Sequence, residues 1–411
     1  MKNYDLIIAG GGMAGATAAI ALSKLDLSIA LVEPIAPQLD TSPSFDQRAV
    51  ALSAASVSIF KSLGVWGKIS HLAEAITDIH VSDKGNYGFT RLTASDYSVD
   101  ALGEVIPLDE TGPILWQLIQ ENTNVEIMCP ATIVAINSLE EQQKNNKITL
   151  TLEAESKQKK ISAKLLLAAD GTFSSIAQMA SIHTQRTSYD QHAVIANIAT
   201  ELPHNNRAFE RFTSKGPLAL LPLTRNRMSL VWCQREENLE EVLNYQDQKF
   251  IQKLQDDFGY RLGKITKVGK RAHYPLSLHI PETLFKGRCL LVGNAAHTLH
   301  PIAGQGFNIG LRDIASLFDS IQSAQKDGID FGSQAFLQAF QDKTTPDKEL
   351  TVTATDFLAR LFSSDFLPLA IARSKGLCIL NKFPFAKKQL ANAAMGFHGN
   401  SAQLTRGIGI E

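Results

Sequence analysis

The hydrophobic positions of this chain change period several times, and the changes mark its elements. Tyr4-Asp5-Leu6-Ile7-Ile8-Ala9 is a short, nearly continuous apolar run, as expected of a buried strand. An Ala-rich helical stretch follows to about Leu25, and Leu27 to Val32 gives a second buried strand. Ala49 to Leu63 has helical spacing, which would place Arg48 near a helix start. Short alternations within residues 78–107 (Ile79, Val81, Tyr87, Phe89) predict an inserted sheet. Thr111 to Gln120 predicts a helix with Pro113 near its first turn. Val125 to Met128, Thr132 to Asn137 and Ile148 to Leu152 predict strands, with the polar stretch Glu140 to Lys147 as a hairpin loop. Ile161 to Ala169 is a further apolar run, and Ser174-Ser175 opens a helix after it.

From about residue 190 the pattern becomes that of short strands. In Arg227 to Cys233, Met228, Leu230 and Trp232 fall on one face. Glu240 to Phe258 predicts one polar amphipathic helix. Cys289-Leu290-Leu291-Val292 is again a buried strand, followed by a glycine-rich loop and a helix from Ile309 to Phe318. Leu350, Ala354, Phe357, Leu358, Leu361 and Phe362 recur at helical spacing. The expected architecture is α/β: a Rossmann-like domain interrupted by a mostly antiparallel β-sheet substrate domain, with a helical C-terminal region. The boundaries follow the pattern. Residues 1–75, 109–180 and 279–345 form the nucleotide-binding domain. Residues 76–108 and 181–278 form the substrate domain, and 346–411 the C-terminal region.

At 411 residues the chain is long enough for two or three such units. A net charge of -1 gives no basic field to hold a nucleic acid. Four scattered cysteines without CxxC spacing suggest reduced thiols in the cytoplasm rather than disulfides or zinc. No signal-peptide pattern opens the chain, and no stretch approaches the roughly 20 apolar residues of a membrane span. From Phe366 to Ile410 there is no acidic residue, whereas Arg373, Lys375, Lys382, Lys387, Lys388 and Arg406 are basic. Mixed with leucine, isoleucine and phenylalanine, this is a surface able to dock on anionic lipid, or a helical pair packed on the main domain.

Three motifs carry the chemistry. Gly10-Gly11-Gly12-Met13-Ala14-Gly15 lies between the first strand and helix, and Glu33 closes the next strand. In this setting Gly10 makes the turn, Gly12 admits a pyrophosphate and Gly15 lets helix and strand pack closely. Glu33 can accept hydrogen bonds from ribose hydroxyls and would repel a 2′-phosphate, so the held dinucleotide is FAD or NAD rather than NADP. Arg48 can reach a phosphate or pair with Asp46. Asp170-Gly171 ends a second strand and can face the same crevice, or be a plain turn. The third motif runs from Gly293-Asn294 through His300-Pro301 to Gly304-Gln305-Gly306-Phe307-Asn308. Its glycines allow a ligand to approach the backbone, and its helix start offers unpaired N–H groups.

Together these motifs resemble the FAD-dependent aromatic hydroxylases of the para-hydroxybenzoate hydroxylase fold, over most of residues 4–320. Gly10, Gly12, Gly15 and Glu33 match that family's FAD fingerprint, Asp170-Gly171 its Asp-Gly motif, and Gly293 to His297 its third motif. Asn294 departs from the usual aspartate, and Ala177 stands where many members have arginine. Both departures, with Ala193 to Asn197 and His300 to Asn308, resemble the ubiquinone-biosynthesis branch. The resemblance implies bound FAD, transient NAD(P)H and O₂. It implies a polyprenylated phenol hydroxylated through a C4a-hydroperoxyflavin, other ubiquinone-biosynthesis proteins as partners, and a place on the inner face of the cytoplasmic membrane. Gly304 to Gly306 would stabilise charge on the flavin pyrimidine ring, and Pro301 would shape the loop over it. No triad or metal is expected, and no acid–base residue is assigned. His297 and His300 are expected to pack in the loop, bonded to backbone. A reductase or oxidase on the same scaffold, and a non-catalytic FAD-holding subunit, are the other functions these motifs allow.

Overall fold

The computed structural model describes residues 1–37, 48–155, 157–300, 304–362, 383–397 and 402–408. The chain opens with β1 (Lys2–Ala9), α1 (Met13–Leu22) and β2 (Ile29–Val32). Next come β3 (Ala49–Ser53), α2 (Ala54–Ser62), α3 (Trp66–Ile69), β4 (Glu74–Ile76), β5 (Asp78–Asp83), β6 (Phe89–Thr93) and β7 (Gly103–Pro107). After α4 (Leu108–Gln120) follow β8 (Val125–Met128), β9 (Thr132–Ile136), α5 (Leu139–Asn145), β10 (Ile148–Ala154), β11 (Lys157–Ala168) and α6 (Ser175–Met179). The strands β12 (Thr184–Thr200), β13 (Arg207–Thr213), β14 (Gly216–Leu223) and β15 (Arg227–Arg235) run on almost without pause. Helices α7 (Glu236–Leu243) and α8 (Asp247–Phe258) precede β16 (Ile265–Val268), β17 (Ala272–Pro281), β18 (Phe285–Lys286) and β19 (Cys289–Leu291). Three long helices close the chain: α9 (Gln305–Lys326), α10 (Gln334–Phe362) and α11 (Pro384–Met395).

The strands form three sheets. One has the order β18-β19-β11-β1-β2-β8, with β10 and β9 attached beside β11. Its β19, β11, β1, β2 and β8 are parallel, and their centres are almost wholly apolar and buried. The second sheet, β16-β12-β15-β14-β13-β5-β6 with β17 beside β12, is antiparallel except for the β13–β5 pair. Met228, Leu230 and Trp232 are buried on one face of it, under Phe250, Leu254 and Phe258 of α8. A three-stranded sheet, β3-β7-β4, lies between these two. Among the described residues no helix is long and apolar enough to cross a membrane.

Several expectations need correction. Ala49 to Ser53 is a strand, paired with Gly103 to Pro107, so Arg48 precedes a strand and not a helix. Small apolar residues fit either period, and pairing with β7 decides. The true helix start is Ser53, whose hydroxyl accepts from the Ser56 N–H. The Glu140 to Lys147 stretch is helix α5 rather than a loop, capped by Ser138. The single helix expected over Glu240 to Phe258 is two, α7 and α8, broken at residues 244–246. Helix α4 starts three residues early, so Pro113 lies in its second turn. Most of the acid-free segment, including Arg373, Lys375 and Lys382, lies outside the described residues.

Candidate functional site

The parallel strands end in register. Ala9 lies opposite Val32 on one side and Ala168 on the other, and Ala168 lies opposite Leu291. Gly10, Glu33, Asp170 and Gly293 follow these ends within two residues, so all three motifs share one edge of one sheet. The carboxyl edge of an open α/β sheet is where ligands bind in this architecture. A hydroxyl contact ties the second motif to the third: Thr298 Oγ1 donates to Thr172 Oγ1 at 3.0 Å.

The glycines of the first motif have separable reasons. Gly10 has φ +99°, and a Cβ there would meet the Ala169 carbonyl oxygen at 2.6 Å. A Cβ on Gly15 would fall 1.9 Å from the Gly10 carbonyl oxygen. Both positions are closed by packing. Gly12 is different, because a Cβ there would meet nothing within 4 Å. It caps α1, whose first turn holds no acidic side chain, and the N–H groups of Met13 and Ala14 face outward from that helix start. The open face of Gly12 is therefore room for a ligand, and an anionic one. Glu33 is held beside it: Oε2 accepts from the Gly11 N–H at 2.6 Å and Oε1 from the Ile35 N–H at 3.0 Å. Each oxygen keeps a lone pair for a ribose hydroxyl.

The sequence reading overlooked Gly11. A Cβ there would strike Trp116 at 2.4 Å, and Trp116 Nε1 donates to the Gly11 carbonyl at 2.9 Å. Nothing local predicts this, because Trp116 comes from α4. Asp170 turns inward to its own helix. It accepts from Ser174 Oγ at 2.6 Å, from Ser175 Oγ at 3.3 Å and from the Ile176 N–H at 3.1 Å. Ser174 and the start of α6 thus brace the Asp-Gly turn where Ala177 supplies no arginine. Gly171, at φ +91°, faces open space.

In the third motif α9 begins at Gln305, four residues before the expected Ile309. Gly304 caps it at φ +61°, packed against Ala51. The N–H groups of Gln305, Gly306 and Phe307 thus lie in its first turn, without acceptors inside the helix, and Gly306 faces open space. Asn308 is fully occupied. Its amide donates to Ala51 and Gly304 carbonyls, and its oxygen accepts from the Ser53 N–H and Ser56 Oγ. It ties the helix start to β3 and α2, so a direct cofactor contact would have to break one of these bonds. Gln305 Nε2 donates to the Ala394 carbonyl of α11 at 3.4 Å. Gly293, at φ +59°, packs on Ala14, and Asn294 is exposed. Pro301 lies outside the described residues.

His297 packs as expected, with Nε2 3.1 Å from the Gly306 carbonyl. His300 instead meets a side chain, Gln191 Oε1, at 3.4 Å, with its ring edge-on to Tyr189. Burial pulls both down to about 4, so both are neutral at pH 7. Arg48 is largely exposed and approaches Asp109 at 3.9 Å, whereas Asp46 lies outside the described residues. The described cysteines, Cys129, Cys233 and Cys289, are free thiols.

An edge with an open Gly12, a tethered ribose-type carboxylate and two helix starts that each hold a glycine with open space beside it fits a flavin dinucleotide. Such an edge facing an antiparallel sheet defines an FAD-dependent aromatic hydroxylase. Residues 3–346 match the family described as FAD binding domain, and the chain belongs to that family. It is 31% identical to the ubiquinone hydroxylase UbiL of Rhodospirillum rubrum, over 96% of this chain and 90% of that one. It is 28% identical to the 3-demethoxyubiquinol 3-hydroxylase of Escherichia coli (strain K12), over 95% and 98%. Its fold is similar to the crystal structure of p-nitrophenol 4-monooxygenase PnpA from Pseudomonas putida DLL-E4, with TM-score 0.80 at 16% identity over 98% of this chain and 100% of that one.

Proposed function

We propose that the protein hydroxylates the aromatic ring of a polyprenylated phenol in ubiquinone biosynthesis, with 2-polyprenyl-6-methoxyphenol as substrate. The observation that carries this reading is the convergence of three strand-end motifs on one edge, opposite a sheet whose inner face is mostly apolar. The two relatives named for ubiquinone chemistry support the substrate class. FAD, when bound, accepts hydride from NAD(P)H and activates O₂ for transfer to the ring. The chain's own groups bind and orient. The Met13 and Ala14 N–H groups would hold the pyrophosphate across Gly12, and Glu33 would take the ribose. Gln305, Gly306 and Phe307 would direct the positive end of α9 at the ring system, where charge would develop. Apolar walls keep water away. Arg48, Asp170, Gly171 and Asn294 border this edge, and NAD(P)H visits it only transiently. The substrate lives in the bilayer, so the C-terminal region meets the inner face of the cytoplasmic membrane, beside other enzymes of the same biosynthesis.

The test uses purified, FAD-loaded protein with ¹⁸O₂, NAD(P)H and a short-chain 2-prenyl-6-methoxyphenol. The expected result is phenol-stimulated NAD(P)H oxidation and one ¹⁸O in the hydroxylated product. Oxidation without ¹⁸O in product would leave a reductase or oxidase. No phenol-dependent oxidation at all would leave an FAD-holding subunit.

A further inference from the structure

The antiparallel sheet has two unlike faces. One is sealed by α7 and α8. The other is crossed by a row of five side chains, one from each of five adjacent strands: Val81, Glu210, Ala219, Val231 and Ile195. Glu210 is the sole charged group in that row. It makes no hydrogen bond or ion pair among the described residues. Leaving a carboxyl without a donor in apolar surroundings costs stability, and such groups are kept where something else is to meet them.

Two apolar patches flank this row. One, with Ala208, Leu221 and Ile79, packs on Ala51 of β3, the residue against which Gly304 rests. The other, with Ala193, Val231 and Cys233, includes Tyr189, whose ring meets His300. His300 and Gly304 are the described residues on either side of residues 301–303 within the third motif. The Glu210 row therefore faces the same space as the helix start assigned to the flavin ring.

Two groups on that face are accessible and desolvated at once. Glu210 keeps some accessible surface, and Tyr274, on the same face beside Ala193, is 39% exposed. Yet desolvation pushes Glu210 up to about 8 and Tyr274 up to about 12. A group in bulk water has surface without desolvation, and one in a packed core has desolvation without surface. Groups on the wall of an enclosed recess have both. Cys233 links them, because the Glu210 carboxyl raises the Cys233 thiol and Cys233 in turn raises Tyr274.

We propose that Glu210 is the residue that recognises the phenolic hydroxyl of the aromatic substrate and takes its proton, an assignment that rests on the hydroxylase reading above. The phenol O–H bond breaks and a Glu210 O–H bond forms. The electron pair stays on the phenolate oxygen, where it enriches the ring carbons ortho and para to it. No redox partner is needed for this step. An ordinary glutamate is a poor base for a phenol, with a gap of about six units between them. Desolvation narrows that gap to about two, which is the match that efficient proton transfer requires.

The test titrates FAD-loaded protein with 2-prenyl-6-methoxyphenol and with its O-methyl ether, read by perturbation of the flavin absorbance. At about pH 9, where Glu210 is ionised and the phenol is not, wild type should bind the phenol about tenfold or more tightly than the ether, the worth of one buried hydrogen bond to a charged group. Glu210→Leu should bind both alike. Glu210→Gln should keep a preference for the phenol but change the pH profile of kcat/KM. The wild-type rise through about 8 should vanish, leaving a rise nearer the phenol's own ionisation, about 10. FAD content reports folding for both variants. If wild type binds and hydroxylates the phenol while Glu210→Leu and Glu210→Gln match it in preference and pH profile, the Glu210 assignment falls and the hydroxylase reading stands. If neither aromatic perturbs the wild-type flavin or stimulates NAD(P)H oxidation, the hydroxylase reading itself falls, and the role of Glu210 with it.

Discussion

Gly12 and Gly15 stand three residues apart in one motif and answer to different forces. Gly15 is required by the protein itself, because any Cβ would press into the Gly10 carbonyl at 1.9 Å. Gly12 is required by nothing in the protein, because the space beside it is open. Gly12→Val is therefore expected to fold as wild type and to lose FAD. Gly15→Ala is expected to lose about 3 kcal/mol or more through backbone overpacking, whatever the cofactor does. Flavin absorbance of the purified variants and urea unfolding monitored by circular dichroism separate the two. A Gly12→Val protein that is yellow at full occupancy would remove this edge from the cofactor site. These roles could be read from spacing, since strand, turn and helix follow one another locally. The contact of Gly11 with Trp116 could not, and neither could the bonding of Asn308, because their partners come from other parts of the chain.

At the level of elements, what the sequence failed to show is also specific. Ala49 to Ser53 has no face polar enough to set a period, and only β7 tells it to be a strand. Helix α5, by contrast, carried an overlooked sign: Ser138 followed at the third helical position by Glu141, a capping-box pattern. The packing of α9 on α10 was hidden for a different reason. It rests on two ion pairs between neighbouring positions, Arg312 with Asp347 and Lys348 with Asp313, both at 2.9 Å. In the second pair both side chains are more than nine-tenths buried. Burying two charges gains little over apolar packing, but stranding one of them is costly. Lys348→Met alone should destabilise by about 3–5 kcal/mol. Lys348→Met combined with Asp313→Leu should recover most of that loss. Urea midpoints of the two proteins decide, and equal losses would show that volume rather than charge governs this contact.

For the whole molecule, the polyprenylated substrate proposed above raises the question of how the protein meets a bilayer. Among the described residues no helix is long and apolar enough to cross a membrane, and exposed side chains are what the proposed contact would use. The polar edge of the parallel sheet and the charged exterior of α8 are poor candidates. The C-terminal helices are better ones. Phe383 and Phe385 open α11 at 58% and 76% exposure, and Lys388 is exposed a turn later. Lys387 is not available in the same way, because it pairs with Asp96 at 3.1 Å. Inserting two phenylalanines is worth about 1.5–3 kcal/mol each, and one lysine near anionic headgroups about 1 kcal/mol. The apolar share therefore exceeds the electrostatic share by several-fold. Full-length protein should float with phosphatidylglycerol-containing vesicles, and added salt should weaken that binding only in part. Phe383→Ser with Phe385→Ser should lower the partition by about tenfold or more, whereas Lys388→Glu should lower it less and remove part of the salt dependence. If the double serine variant floats as wild type does, α11 is not the docking face, and a partner protein has to hand over the polyprenylated substrate.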